Sequence, residues 1–239
     1  LYEEALQASR ETLGDRHPDT LTSINNMGVL LNDMGKLEEA RPLYEEALQA
    51  RRETLGDRYP GTLTSINNMG GLLADMGQLE EARPLYEEAL QARRETLGDR
   101  HPGTLASINN MGGLLQAMGQ LEKARPLREE VMQTCKETLG DRHPNTLGSI
   151  GSMGVMLQAM GQLDEARPLL EEALQASRET QGDRHPHTLN SIGNLVDLLR
   201  TTGSLDEAEL ILGNTVVVVQ EILGNDHATT LKITAIAAR

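Results

Sequence analysis

Residues 60–101 read PGTLTSINNMGGLLADMGQLEEARPLYEEALQARRETLGDRH, and this stretch decides the architecture. The stretch before it, residues 18–59, differs at only five positions: Asp19/Gly61, Val29/Gly71, Asn32/Ala74, Lys36/Gln78 and Tyr59/His101. A closing glycine recurs at Gly14, Gly56, Gly98, Gly140, Gly182 and Gly224, a period of 42 residues. Repetition at this period marks a solenoid, in which each block packs mainly on its neighbours. Working outward gives five full blocks, 18–59, 60–101, 102–143, 144–185 and 186–227. Residues 1–17 match the second half of a block, and residues 228–239 begin another, so residues 1–239 are expected to form a single array.

Each block spells two helices. In residues 18–59 the first runs from Pro18 to Met34, with Leu21, Ile24, Met27, Gly28, Leu31 and Met34 on one apolar stripe. Proline suits its first turn, where the missing N–H would have no partner anyway, and Gly35 stops it. The second runs from about Leu37 to Leu55 and buries Leu37, Ala40, Leu43, Tyr44, Ala47, Leu48 and Leu55. Glu38 and Glu39 at its start and Arg51 and Arg52 near its end suit the helix dipole. Pro42, Pro84, Pro126 and Pro168 fall inside the second helices, each removing one backbone hydrogen bond. Their recurrence predicts a fixed bend rather than a hinge. Twelve helices are expected, counting one unpaired helix at each end.

Composition narrows the class. Phe and Trp are absent, and the aromatic residues are Tyr2, Tyr44, Tyr59 and Tyr86, so Leu, Ile, Met and Ala must build the core. That suits close-packed helices and argues against a sheet protein. A net charge of −14 argues against nucleic acid and against anionic membrane surfaces, both of which require basic patches. No apolar run is long enough to span a bilayer. One cysteine, Cys135, excludes an intrachain disulfide and points to a reducing, cytoplasmic setting. Cys135 aligns with Ser9, Arg51, Arg93 and Ser177, read as a polar outer position. The chain starts inside a repeat without methionine, as expected of a piece of a longer protein.

Catalytic and metal-binding readings are weak. The recurring Leu-Gly-Asp-Arg-His-Pro loop brings together residues such as Asp15, Arg16 and His17, but Tyr59 replaces the histidine in one block, so a helix start explains it better. Only His185 and His187 are close together among the histidines, without acidic or cysteine neighbours at zinc spacing. No serine sits in a G-x-S-x-G elbow. No strand precedes Gly148, Gly151 and Gly154, so they make no dinucleotide fingerprint; in the interior of a helix they predict a soft one. Neither an enzyme nor a bound cofactor is expected.

Gly28 with Ala40, Gly70 with Ala82 and Gly112 with Ala124 put a small residue on each helix of a pair, where the two cross. This arrangement resembles the tetratricopeptide repeat. The pattern A-R-P-L-Y-E-E-A-L, L-G-D-R-H-P-x-T-L, I-N-N-M-G at 42-residue spacing is similar to the kinesin light chain and nephrocystin-3 type of that repeat. The resemblance covers essentially the whole chain. It implies an all-α, right-handed α-solenoid superhelix of helix-turn-helix repeats, with the first helices lining the concave face. It also implies a non-catalytic scaffold that binds an extended peptide or partner protein there.

Opposite the buried stripe of the first helix lie Thr22, Asn25, Asn26, Val29, Asn32 and Asp33. Successive blocks add Asn67 and Asn68, then Asn109 and Asn110, then Gly151 and Ser152, then Gly193 and Asn194. Asparagine offers both a donor and an acceptor, so such a row can pair with a peptide backbone without demanding a sequence. The resemblance assigns ligand contact to the second residue of each pair: Asn26, Asn68, Asn110, Ser152 and Asn194. The family's groove cations are missing here: blocks one to four have no Lys or Arg in this stripe, and Arg200 is the first. A neutral or basic peptide is therefore expected, with Asp33 and Asp75 as contacts. The competing reading is a structural spacer, or a module that self-associates through its ends or convex face. The uncovered apolar residues Leu231, Ile233 and Ile236 predict self-association or fraying at the C-terminal end.

Overall fold

A computed structural model of the chain describes residues 2–213 and Thr215. Among the described residues there are eleven α-helices and no strand. They are α1 (Tyr2–Leu13), α2 (Pro18–Asp33), α3 (Leu37–Leu55), α4 (Pro60–Asp75), α5 (Leu79–Leu97), α6 (Pro102–Ala117), α7 (Leu121–Leu139), α8 (Pro144–Ala159), α9 (Leu163–Gln181), α10 (Pro186–Thr201) and α11 (Leu205–Leu212). The expected twelfth helix and the C-terminal association surface lie outside the described residues. The chain packs as two compact units, Leu1–Gln120 and Leu121–Arg239. Each unit stacks its helices in neighbouring pairs, α2 on α3 and α4 on α5 in the first, α8 on α9 and α10 on α11 in the second.

Local chemistry sets the helix ends. His17 stands just outside α2 in an extended conformation, and its Nδ1 accepts the Asp19 N–H at 3.2 Å. His101, His143 and His185 cap α6, α8 and α10 in the same way. The Asp-Arg-His loop is thus a helix start whose members go separate ways: Arg10 holds Asp15 at 2.8 Å, and Arg16 reaches Glu53 at 2.8 Å. Gly35 has φ +72°, a left-handed conformation that a side chain would strain. It lets Lys36 N–H return to the Leu31 carbonyl at 2.8 Å, closing α2 in a Schellman motif. α3 continues through Pro42 without a break.

The apolar stripes form the core. Leu21, Ile24 and Ala47 are fully buried in the first unit, as are Ile150 and Ala173 in the second. Three details differ from the sequence reading. Met34 is 58% exposed, because it caps α2 beyond the last helical turn and its side chain leaves the stripe. Gly28 makes room for a ring, not for a bare backbone crossing: a Cβ there would stand 2.9 Å from Cε1 of Tyr44. The position shared by Arg51, Arg93, Cys135 and Ser177 is buried, not outer, because these residues turn into the junction between their helix and the first helices beside it.

Candidate functional site

Within each unit the first helices of successive repeats touch directly: α2 with α4, α4 with α6, and α8 with α10. The second helices are bridged instead by long side chains, as in Arg10–Glu46 at 2.8 Å and Arg52–Glu88 at 2.6 Å. Short links on one side and long links on the other put the first helices on the inner side of the stack in each unit.

In the first two pairs the asparagines have different roles. Asn25 and Asn67 are buried. The Oδ1 of Asn25 accepts from the Asn68 amide at 3.1 Å and from the Ser65 hydroxyl at 3.5 Å, tying α2 to α4. Asn67 does the same one repeat on. Its amide oxygen must face the Arg93 guanidinium, since donors would otherwise oppose donors; so turned, it accepts from Nη1 at 2.7 Å and from the Ser107 hydroxyl at 3.0 Å. Asn26 is exposed, while Asn68 and Asn110 are half-buried. Asn109 is exposed and Asn110 lies beside it on α6. In the second unit Ser152 on α8 and Asn194 on α10 are half-buried.

Two arginines that the sequence reading left outside anchor this packing. Arg51 donates to the Gly61 carbonyl (2.9 Å), the Ser65 hydroxyl (2.9 Å) and the Thr22 hydroxyl (3.0 Å). Arg93 repeats the set with the Gly103 carbonyl (2.8 Å), Ser107 (3.0 Å) and Thr64 (3.4 Å). Burial pushes both guanidinium pKa values down. In the second unit Cys135 takes this position; burial raises its pKa and a hydrogen bond with Ser149 opposes that shift.

The inner surface of the first unit carries a polar cluster. Asp33 and Asp75 end α2 and α4 and are exposed. Asn32 donates to Asp75 at 2.8 Å, which brings the two helix ends together. Beneath them lie Tyr44 and Tyr86, assigned by the sequence reading to the core alone. Their rings are packed on Gly28 and Gly70, leaving the side chains 3% and 6% exposed. The Tyr86 hydroxyl emerges 3.4 Å from where a Cβ on Gly71 would stand, one turn before Asp75. Burial first, and then the Asp33 and Asp75 charges, push the Tyr44 pKa up to about 12. Burial and Asp75 do the same for Tyr86. A tyrosine facing the small-residue stripe of the first helix was the available signal for this cluster.

Among the described residues no three His, Cys, Asp or Glu side chains converge on a metal site. No helix among them is long and apolar enough to cross a membrane.

No curated protein matches the chain significantly. Solved structures do. The nearly identical TPR-like repeats of a Podosopora anserina kinesin light chain candidate are 29% identical, with a TM-score of 0.69 over 86% of this chain and 97% of that one. BtubC (BKLC) from P. vanneervenii is 19% identical, with a TM-score of 0.71 over 93% of this chain and 88% of that one. A Rap protein complexed with Competence and Sporulation Factor is 14% identical, with a TM-score of 0.68 over 99% of this chain and 68% of that one. Tetratricopeptide repeat profiles match residues 1–53, 20–95, 61–115 and 149–213, and a second such profile matches residues 104–145. With stacked 42-residue helix pairs, glycine-closed turns and these matches, the chain belongs to the tetratricopeptide repeat family, which consists generally of non-catalytic protein-interaction scaffolds.

Proposed function

We propose that this scaffold binds an extended peptide, or an extended segment of a partner protein, along the inner side of its first helices. The observation that carries this reading is the division of labour within the asparagine pairs. Asn25 and Asn67 are consumed by packing, whereas Asn26 is exposed and Asn68 and Asn110 are half-buried on the same face, Asn68 with one amide N–H given to Asn25 and its oxygen facing outward for a ligand. Asparagine is a mediocre helix former, so a second one per helix calls for a use. An amide row can hold a peptide backbone through paired donors and acceptors. Ser152 and Asn194 occupy the same register in the second unit. Asp33 and Asp75 make the ligand neutral or basic. A Rap protein of this fold holding Competence and Sporulation Factor fits a repeat stack with a ligand. The ligand is met in the cytoplasm, where the single thiol stays reduced.

A random peptide display library, screened against the chain and against Asn26→Ala/Asn68→Ala/Asn110→Ala, tests this. Peptides enriched on the chain and lost on the triple variant are expected. Equal enrichment on both proteins would remove the amide row from the mechanism, and self-association through the ends or the convex face would then lead.

A further inference from the structure

The inner face of the first unit holds more than a backbone-binding row. Asp33 and Asp75 are exposed carboxylates on adjacent helix ends, and among the described residues no cation pairs with either; the bond to Asp75 comes from the neutral amide of Asn32. The nearby Lys36 is turned away to Glu39, at 3.4 Å. Tyr44 and Tyr86 are more than nine-tenths buried as residues, and among the described residues no hydrogen bond engages either hydroxyl, which keeps its oxygen open to solvent. Here each ring supplies packing against Gly28 or Gly70, and the Tyr86 hydroxyl comes out against Gly71, one turn before Asp75, within range of its charge.

We infer that Asp33, Asp75, Tyr44 and Tyr86 form a subsite for one arginine side chain of the ligand, an inference that rests on reading this face as the binding face. The donor count matches a guanidinium. Its planar fork carries five N–H groups, enough to address two separate carboxylates and still donate to a tyrosine oxygen. A lysine ammonium is a compact point charge with three donors and cannot span the same set as well. The subsite belongs to the first repeats: Asp33 and Asp75 are followed by Ala117 and Ala159 at the same register, and Tyr44 and Tyr86 by Arg128 and Leu170. An arginine in the ligand therefore fixes its register along the stack, which the sequence-blind amide row cannot do.

The chain has four tyrosines, so ring-13C tyrosine labelling gives a short, assignable spectrum. The probe is N-acetyl-arginine amide, compared with N-acetyl-citrulline amide, which has nearly the same shape and no charge. The Tyr44 and Tyr86 signals are expected to move to saturation with the arginine probe only, while Tyr59 stays still. Asp75→Asn keeps an oxygen for the Asn32 amide, so the fold is retained, and should weaken the arginine probe roughly tenfold, as for loss of one charge-assisted bond. Equal shifts with citrulline, or unchanged affinity in Asp75→Asn, would overturn the subsite. If display peptides still depend on Asn26, Asn68 and Asn110 in that case, the binding face stands and only the arginine preference falls.

Discussion

Replacing Gly28 by alanine tests how the two helices of a repeat are fitted together. In an ordinary helix interior the change stabilises by about 0.5–1 kcal/mol, because glycine has more backbone freedom to lose. At Gly28 the added Cβ would lie 2.9, 3.0 and 3.2 Å from Cε1, Cδ1 and Cζ of Tyr44. These are three atoms of one rigid ring, not the end of a flexible chain, and the ring is almost wholly buried. Relief requires moving the ring off α2, an overpacking cost of roughly 1–3 kcal/mol. The net expectation is a loss of about 1 kcal/mol. Gly148→Ala is the control: nothing lies within 4 Å of its Cβ position, so it should gain about 0.5–1 kcal/mol. Repeat proteins lose stability locally, so native-state hydrogen exchange of the α2 and α3 amides is the suitable readout. The chain supplies the rescue as well. In the last full block the same two positions are Val196 and Leu212, both buried. Gly28→Ala/Tyr44→Leu should therefore cost less than the sum of its single changes, with a coupling of about 1 kcal/mol. If Gly28→Ala protected α2 as much as Gly148→Ala protects α8, the ring would be free to yield and the reasoning would fail.

Arg93→Ser places at this position the residue the chain carries at Ser177, but leaves Gly103, Ser107 and Thr64 without their donor. A loss of roughly 2–4 kcal/mol in urea unfolding of the first unit is expected from stranded buried acceptors; a loss below about 0.5 kcal/mol would show that water replaces the guanidinium. Alkaline titration gives a second check. Tyr44 and Tyr86 ionise at about 12 when folded, against 10.0 for the free side chain, so the folded state keeps protons that the unfolded chain has released. Their contribution is intact below pH 10 and is lost as pH rises toward 12; Tyr44→Phe/Tyr86→Phe should flatten that fall in circular dichroism at 222 nm.

The helix boundaries were legible because their causes are local. Pro18 at a first turn, His17 as a side-chain cap and Gly35 at positive φ act within a few residues of themselves. The second helix, Leu37–Leu55, ends where Gly56 stands, with φ +85°. The polar stripe through Asn25, Asn26, Asn32 and Asp33 was legible, and on it Asn26 and Asp33 are exposed and Asn32 is half-buried. Its internal division was not. Asn25 and Asn26 are adjacent in sequence and point about 100° apart around the helix. Which of them meets the next repeat depends on how α4 lies against α2.

The sequence by itself determined the repeat, its period, its helices and their caps, since each follows from backbone preferences and apolar spacing over fewer than 42 residues. The tertiary structure alone decided what the polar residues do. Asn25 joins Asn68 across 43 positions, Arg51 joins Thr22 across 29, and Tyr44 slides its ring onto Gly28 of the helix before it. Such partners are chosen by the tilt and spacing of neighbouring helices. A side chain's direction on its own helix does not encode those quantities.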